Sequence, residues 1–462
     1  MNKDVEILLK IPAFSTLSEE EAQRLVEKAN RRSFAPNEAV LRKGEDGDAM
    51  YVIMEGAVLI PILDADGAVR FTARLEAGNV FGEMALLTGE KRSADVIVAG
   101  DSKCVCLEMK KQEVDLLLRQ HPATARFLTE ILSKRLLESE KMRQVGKYTL
   151  VSRLGRGGTA IVFNGQHQTL DRQVAVKMLD HSLSYNLSFV KRFQAEAQLI
   201  ANLSHENIVQ VYDAEEAYGT YFIVMEKLQG QNLGEHIQLK GKTSFDEARE
   251  ILVQTASALQ YAHEHKVVHR DIKPANIFLE NTGRVKLMDF GIAQAPRVEK
   301  DADISDGFMG TPGYVAPEQI AGKPFDQRVD IYALGVVAFI MLTAKKPFPA
   351  PNSTKVLQMQ LHTPSLDITR VVENAPDDLA AFVRRATAND PEQRFPDCSA
   401  VLQHFAHHRS VRGLSEVRAQ TLTLLYTPED ADAIQKILHE ACQKLTAKTH
   451  ARVFLSADMN KS

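Results

Sequence analysis

This 462-residue chain is short of several things. Its four cysteines, Cys104, Cys106, Cys398 and Cys442, form no CxxC pair and no zinc-type spacing. That leaves reduced structural thiols, or a regulatory thiol, as the readings. No apolar run is long enough to cross a bilayer. The longest, 331–344, lies between Asp330 and Lys345 and suits a buried helix. No charge of one sign dominates: 56 Lys and Arg stand against 60 Asp and Glu, a net charge of −4. Neither nucleic acid nor an anionic membrane is therefore implied as the main partner. The opening residues lead only into a short apolar patch, so no secretory signal is expected and the cytoplasm is the expected location. There is no internal repeat, no low-complexity tract, and no Gly/Ser/Pro run that would act as a floppy linker.

The chain does have an ordinary globular composition, 44% hydrophobic and 25% charged, in a length that suits about three domains. Over 1–110, short apolar segments such as 50–54 and 57–60 are broken by Gly44, Gly47, Gly56, Gly67 and Gly78. Closely spaced strands with glycine turns predict a small β-barrel or jelly roll, preceded by a helix over 19–30. Over 111–145 the period becomes helical. After Pro122, the residues Phe127, Leu128, Ile131, Leu132 and Leu136 recur at spacings of three and four, with Lys134, Arg135, Glu138, Glu140, Lys141 and Arg143 between them. A helical connector is the expectation. In the tail, Ile434, Leu438, Ala441 and Leu445 share one helical face after Thr427-Pro428-Glu429-Asp430. This helix is expected to pack on its own chain, or to serve a homodimer or a docking partner.

The densest motifs lie between. Val268-His269-Arg270-Asp271-Ile272-Lys273-Pro274-Ala275-Asn276 is followed thirteen residues past Asn276 by Asp289-Phe290-Gly291. Upstream, Leu154-Gly155-Arg156-Gly157-Gly158-Thr159-Ala160-Ile161-Val162 is a glycine loop, where the backbone can bend tightly and bring N–H groups close to phosphates. Val174-Ala175-Val176-Lys177 and Phe193-Gln194-Ala195-Glu196-Ala197 come next, then Tyr221-Phe222-Ile223-Val224-Met225-Glu226-Lys227-Leu228. Gly310-Thr311-Pro312-Gly313-Tyr314-Val315-Ala316-Pro317-Glu318 and Asp390-Pro391-Glu392-Gln393-Arg394-Phe395 complete the set.

Over about 260 residues these motifs resemble the protein kinase family, and most closely its bacterial-type serine/threonine group. The resemblance implies a two-lobed α+β fold that takes ATP and Mg²⁺ and phosphorylates a protein Ser or Thr hydroxyl. It implies Asp271 as the group that receives the proton of the attacking hydroxyl. Lys273 stands near the transferred phosphate and marks the Ser/Thr branch. Lys177 grips the phosphates and pairs with Glu196, while Asn276 and Asp289 hold the metal. ATP would lie against Gly155, Gly157, Gly158, Val162, Ala175, Lys177, Glu226 and Leu228, with Met225 at the back of the pocket. Glu318 would pair with Arg394, and Asp330 would brace the catalytic loop. Ala160 departs from the family's usual third glycine. Arg270 calls for a negative partner, supplied by phosphorylated Ser305 or by Asp301, Asp303 and Asp306, and Thr311 would line the substrate groove. Asn232 and Ala275 stand where kinases that prefer basic substrates carry acids, so no strong demand for upstream arginine is expected.

The stretch 81–94, Phe81-Gly82-Glu83-Met84-Ala85-Leu86-Leu87-Thr88-Gly89-Glu90-Lys91-Arg92-Ser93-Ala94, offers a short helix with free N–H groups beside a cation. With Gly44 to Tyr51 and Met54-Glu55-Gly56 it resembles the phosphate-binding cassette of cyclic-nucleotide-binding domains. The resemblance implies a cyclic nucleotide held by Gly82, Glu83, Met84, Ala85, Arg92 and Ser93, with Glu83 on the ribose and Arg92 on the phosphate. cAMP is favoured over cGMP because no threonine follows the arginine. Lys91 and Asp95 depart from the family pattern. The organisation read from the chain is thus a β-barrel/jelly-roll domain over 1–120, a helical connector over 121–145, a kinase domain over 146–408 and a tail over 409–462. Domain order resembles that of cyclic-nucleotide-dependent kinases, although only about ten residues precede the barrel, which leaves little room for a pseudosubstrate arm. The expected function is a cyclic-nucleotide-regulated Ser/Thr kinase. The alternatives are a constitutive or autophosphorylating kinase with a ligand-free docking barrel, and a non-catalytic nucleotide-sensing scaffold.

Overall fold

The computed structural model describes residues 3–412 apart from 13, 64–68, 101, 139–142, 158–159, 185–189, 191–196, 198–199 and 291–310, together with 434, 436 and 437. The chain opens with two helices, α1 (Lys3–Lys10) and α2 (Glu19–Lys28). The first was read from sequence only as a short apolar patch. It is helical because Val5 and Leu8 fall on one face and are buried against the strands that follow. Ser18 starts α2: its hydroxyl accepts from the Glu21 N–H while the Glu21 carboxylate accepts from the Ser18 N–H.

Eight strands follow: β1 (Asn30–Phe34), β2 (Ala39–Leu41), β3 (Ala49–Glu55), β4 (Ala57–Leu63), β5 (Val69–Glu76), β6 (Val80–Phe81), β7 (Val96–Val98) and β8 (Cys104–Lys110). They make two antiparallel sheets, ordered β1-β8-β3-β6 and β2-β7-β4-β5. The period of two along β3 explains the layering. Met50, Val52 and Met54 pack with the helices, while Tyr51 and Ile53 turn inward onto Phe34, Val58, Phe81 and Val98. A short helix, α3 (Glu83–Thr88), leaves β6, and α4 (Lys111–Gln120) and α5 (Pro122–Glu138) follow β8. The predicted connector is thus two helices, with the proline at the first position of the second.

The second half begins with an antiparallel sheet ordered β13-β14-β12-β11-β10-β9. Its members are β9 (Gln144–Val145), β10 (Tyr148–Arg156), β11 (Ala160–His167), β12 (Gln173–Leu179), β13 (Val211–Ala217) and β14 (Thr220–Glu226), with α6 (His181–Ser184) after β12. Leu132 and Leu136 of α5 enter one core with Met84 of α3 and with Val145, Tyr148, Phe163, Phe222 and Val224 of this sheet. The connector is therefore packed between barrel and sheet. Below, a three-stranded sheet of β15 (Gly230–Asn232), β16 (Ile277–Glu280) and β17 (Val285–Leu287) accompanies α7 (Leu233–Lys240), α8 (Phe245–Glu264), α9 (Pro317–Ile320), α10 (Arg328–Thr343), α11 (Ser353–His362), α12 (Asp377–Ala386) and α13 (Cys398–Arg412). The apolar run read as a buried helix is α10, buried nearly all round. Among the described residues no helix is long and apolar enough to cross a membrane. Residues 407–462 group as a second compact unit. There, Ile434, Lys436 and Ile437 are helical, and the rest of the predicted tail helix lies outside the described residues.

Candidate catalytic and ligand sites

Asp330, buried at the start of α10, organises the loop before β16. Its Oδ2 accepts from the His269 N–H at 2.8 Å and its Oδ1 from the Arg270 N–H at 2.8 Å, with His263 Nε2 2.8 Å from Oδ2. Burial pushes this carboxyl up, but His263 and His269 outweigh it and hold Asp330 below its ordinary value. The loop is held in an uncommon shape. Arg270 and Asp289 have φ of 65° and 54°, a left-handed conformation that costs of order 1–3 kcal/mol for a side-chain-bearing residue.

The carboxylate of Asp271 lies inside this frame with three donors on it. Lys273 Nζ is 2.6 Å away, Asn276 Nδ2 2.9 Å, and Thr311 Oγ1 donates at 3.2 Å. Lys273 also donates to Thr311 at 3.1 Å. Asn276 is fixed by a short 3₁₀ turn, 274–276, whose first residue is Pro274, and by its bond to the Asp271 carbonyl at 2.8 Å. Across the cleft, Lys177 of β12 meets Asp289 Oδ1 at 2.6 Å. Desolvation raises the Asp289 carboxyl, yet the Lys177 ammonium more than offsets it and the group sits below its usual value. Glu196 and Gly158 lie outside the described residues, as do Ser305 and the acids around it, so the expected Lys177–Glu196 pair and the partner of Arg270 lie there too.

Strand register brings the other nucleotide residues together. Val162 pairs with both Gly155 and Lys177, and Ala175 with Met225. Gly157 N–H donates to the Ala160 carbonyl at 2.8 Å, and Ala160 is buried. Glu226 is held three times: its N–H donates to the Gln210 carbonyl at 2.9 Å, its carboxylate accepts from the Gln210 N–H at 2.7 Å, and the same carboxylate meets Lys286 at 2.6 Å. Leu228 is half-buried and packs against the apolar core that holds Ala160, Ala175 and Met225. Glu318 and the buried Arg394 make a two-pronged ion pair at 2.7 and 2.8 Å.

In the barrel, Gly82 (φ 76°) turns the chain into α3, whose first residues are Glu83, Met84 and Ala85. Arg92 is buried and donates to the carbonyls of Gly82 at 2.7 Å and Ala49 at 2.8 Å. Two glycines make room for it: a Cβ on Gly82 would lie 2.9 Å from Arg92 Nη1, and one on Gly47 would lie 2.3 Å from the Ala85 Cβ and 3.0 Å from the guanidinium. From sequence alone Gly47 reads only as a barrel turn. Glu83 is 1% exposed, and its Oε1 accepts no hydrogen bond among the described residues. Its nearest charge is Arg135 Nε of α5, at 3.3 Å. Asp95, a departure from the cassette pattern, is occupied: it accepts from the Lys43 N–H at 2.8 Å. Ser93 is exposed.

Arg135 went unrecognised in the sequence, where it counted only as polar filling of a helix. Three further residues of the same helix make polar contacts. Thr129 Oγ1 lies 3.0 Å from His181 Nδ1, Arg126 3.9 Å from Asp180, and Glu130 pairs with both Arg153 and Arg156. No signal of spacing marks such pairs, which join segments far apart in the chain.

Oxygen ligands suit a hard cation. Asn276 keeps its side-chain carbonyl oxygen for that purpose, since its Nδ2 faces Asp271, and Asp289 is held in the ionised form. The donor set therefore fits Mg²⁺. The Glu83 carboxylate, ion-paired with Arg135 but with no hydrogen bond on Oε1 among the described residues, and the glycine cradle around Arg92 likewise fit a hydroxyl-bearing anion.

Comparison with known proteins adds the following. Residues 148–406 match the model of the protein kinase domain, and 31–121 that of the cyclic nucleotide-binding domain. Among curated proteins, the chain is 33% identical over 317 residues to the serine/threonine-protein kinase PrkC of Bacillus subtilis, covering 69% of this chain and 48% of that protein. It is 37% identical over 265 residues to PksC of Streptomyces coelicolor, covering 55% and 48%. It is 39% identical over 262 residues to a probable PknB of Corynebacterium glutamicum, covering 55% and 41%. The chain spans less than half the length of these relatives. A crystal structure of the Mycobacterium tuberculosis PknI kinase domain is 27% identical, covers 57% of this chain and 97% of that one, and has a TM-score of 0.47.

Proposed function

This chain belongs to the protein kinase family, and from that premise we propose that it transfers the γ-phosphoryl group of ATP to serine or threonine hydroxyls of a protein, under the control of a cyclic nucleotide bound at 82–93. The observation that carries the catalytic reading is the Asp271 carboxylate with Lys273, Asn276 and Thr311 on it. Three donors orient it as an acceptor, so it can align a hydroxyl and receive its proton. Lys273 is within reach of the same point and supplies positive charge where the phosphoryl group passes. Lys177 is positioned to grip the phosphates once Asp289 turns to the metal. Asn276 and Asp289 would hold Mg²⁺, which neutralises charge on the phosphate oxygens when bound. Most of the rate then comes from alignment and electrostatics.

The regulatory reading is supported by Glu83 and Arg135. A ribose hydroxyl donating to Glu83 competes with Arg135 for the same carboxylate, and Arg135 belongs to the helix that packs on the kinase sheet. A ligand that prefers one state of that helix changes activity by its difference in affinity between states. The lack of a threonine after Arg92 favours cAMP over cGMP.

Phosphorylation of a generic protein, measured without ligand, with cAMP and with cGMP, tests both parts. Asp271→Ala is expected to lose transfer by about 10²–10⁴-fold. Arg92→Ala is expected to keep basal transfer and lose the response to nucleotide. A rate that ignores both nucleotides would leave the kinase and remove the regulation, making the barrel a docking module. An active Asp271→Ala would remove the kinase assignment of that residue.

A further inference from the structure

From Val151 to Arg156 the residues of β10 are exposed or half-exposed, while the backbone stays paired with β11. This segment leads directly into the glycine loop. Two of its residues, Arg153 and Arg156, reach the same carboxylate, that of Glu130 on α5. Residues three apart on a regular strand face opposite sides. Here a register shift between Arg153 and Gly155 adds a residue to the strand and turns both guanidiniums to one side. Glu130 is itself anchored. One residue before it, Thr129 bonds to His181, and Leu132 and Leu136 are buried in the core shared with the sheet. The carboxylate therefore stands at a fixed place, outside the segment 148–406 that matches the kinase domain.

We propose that Glu130 is a positioning residue for nucleotide binding: through Arg153 and Arg156 it fixes the strand that carries the glycine loop, so that the connector helix sets the affinity for ATP. The inference rests on the kinase reading above. A strand end free to shift with its loop has to be placed each time ATP binds; one already held by two charge-assisted bonds does not. The loss therefore falls on binding rather than on the chemical step.

The test uses the full chain and ATP as the varied substrate. Glu130→Gln keeps the shape and removes the charge. It is expected to raise KM for ATP about five-fold with kcat within about two-fold, while Glu130→Asp restores most of the affinity. Arg153→Gln removes one of the same contacts from the other side and is expected to act in the same direction, which covers the case in which Glu130→Gln does not fold. An unchanged KM in a folded Glu130→Gln, or a fall in kcat at constant KM, overturns the proposal. If the unaltered chain transfers no phosphate, the kinase reading fails on its own. Calorimetric titration with ATP then decides the role of Glu130: weaker binding in Glu130→Gln supports it, and equal binding overturns it.

Discussion

At Arg394 the chain buries a full positive charge and satisfies it completely. The guanidinium makes two bonds to Glu318, donates to the carbonyls of Ala388 at 2.7 Å and Asn389 at 3.1 Å, and lies 4.9 Å from the centre of the Tyr332 ring. Removing one partner of such a pair leaves the other charge stranded, at about 3–5 kcal/mol. Glu318→Ala is therefore expected to lower the unfolding midpoint of the kinase half by on the order of 10 °C, read by scanning calorimetry. A shift of a degree or less would mean that the pair contributes no more than a surface bridge. This contact was legible in the sequence, because both residues stand in motifs whose resemblance implies it. The pair between Glu83 and Arg135 was not. Its members are 52 positions apart, and nothing in the residues around Glu83 shows that a helix from elsewhere will reach it.

At the scale of elements, the meeting of α3 with the turn between β13 and β14 is decided by one glycine. Tyr218 and Gly219 both take positive φ, 53° and 69°, as a tight two-residue hairpin turn requires. A Cβ on Gly219 would lie 2.0 Å from the Leu87 carbonyl oxygen. Gly219→Ala is expected to push α3 off the kinase sheet, seen as faster amide hydrogen exchange over Glu83–Thr88 with little change in the lower lobe. Unaltered exchange there would show that the helix is held by the barrel alone. The elements themselves were largely readable: glycine-broken apolar segments became strands, and the period of three and four became α5. Helix α1 escaped because eight residues are too short a window for periodicity to tell a helix from another apolar segment. More instructive is α5, whose apolar positions read as one stripe. Ala125 and Leu128 enter the barrel core, whereas Leu132 and Leu136 enter the kinase core. Periodicity reports that a face is buried and is silent on what buries it.

For the whole molecule, the join between the halves has its own pH dependence. His181 is buried between Thr129 and the Tyr218 carbonyl, and burial lowers it to about 4. Its value in the unfolded chain is ordinary, about 6.5. The unfolded state therefore binds the proton more readily between these values, so the stabilising contact is whole above about pH 6.5 and is lost progressively as pH falls toward 4, by on the order of 3 kcal/mol. The unfolding midpoint is expected to drop between pH 7 and pH 5, and to drop less in His181→Gln. Equal pH profiles for the two would assign the effect to other groups.

The shared core also bears on how the gene can be cut. An expression boundary placed at residue 148, where the kinase match begins, would strip Leu132 and Leu136 from Phe163, Phe222 and Val224 and leave an apolar face on the sheet open to water. The same cut would free the barrel with half of a helix stripe uncovered. Solubility trials and domain swaps on this protein therefore keep α5 joined to both neighbours, because Ala125 and Leu128 close the barrel core and Leu132 and Leu136 the kinase core.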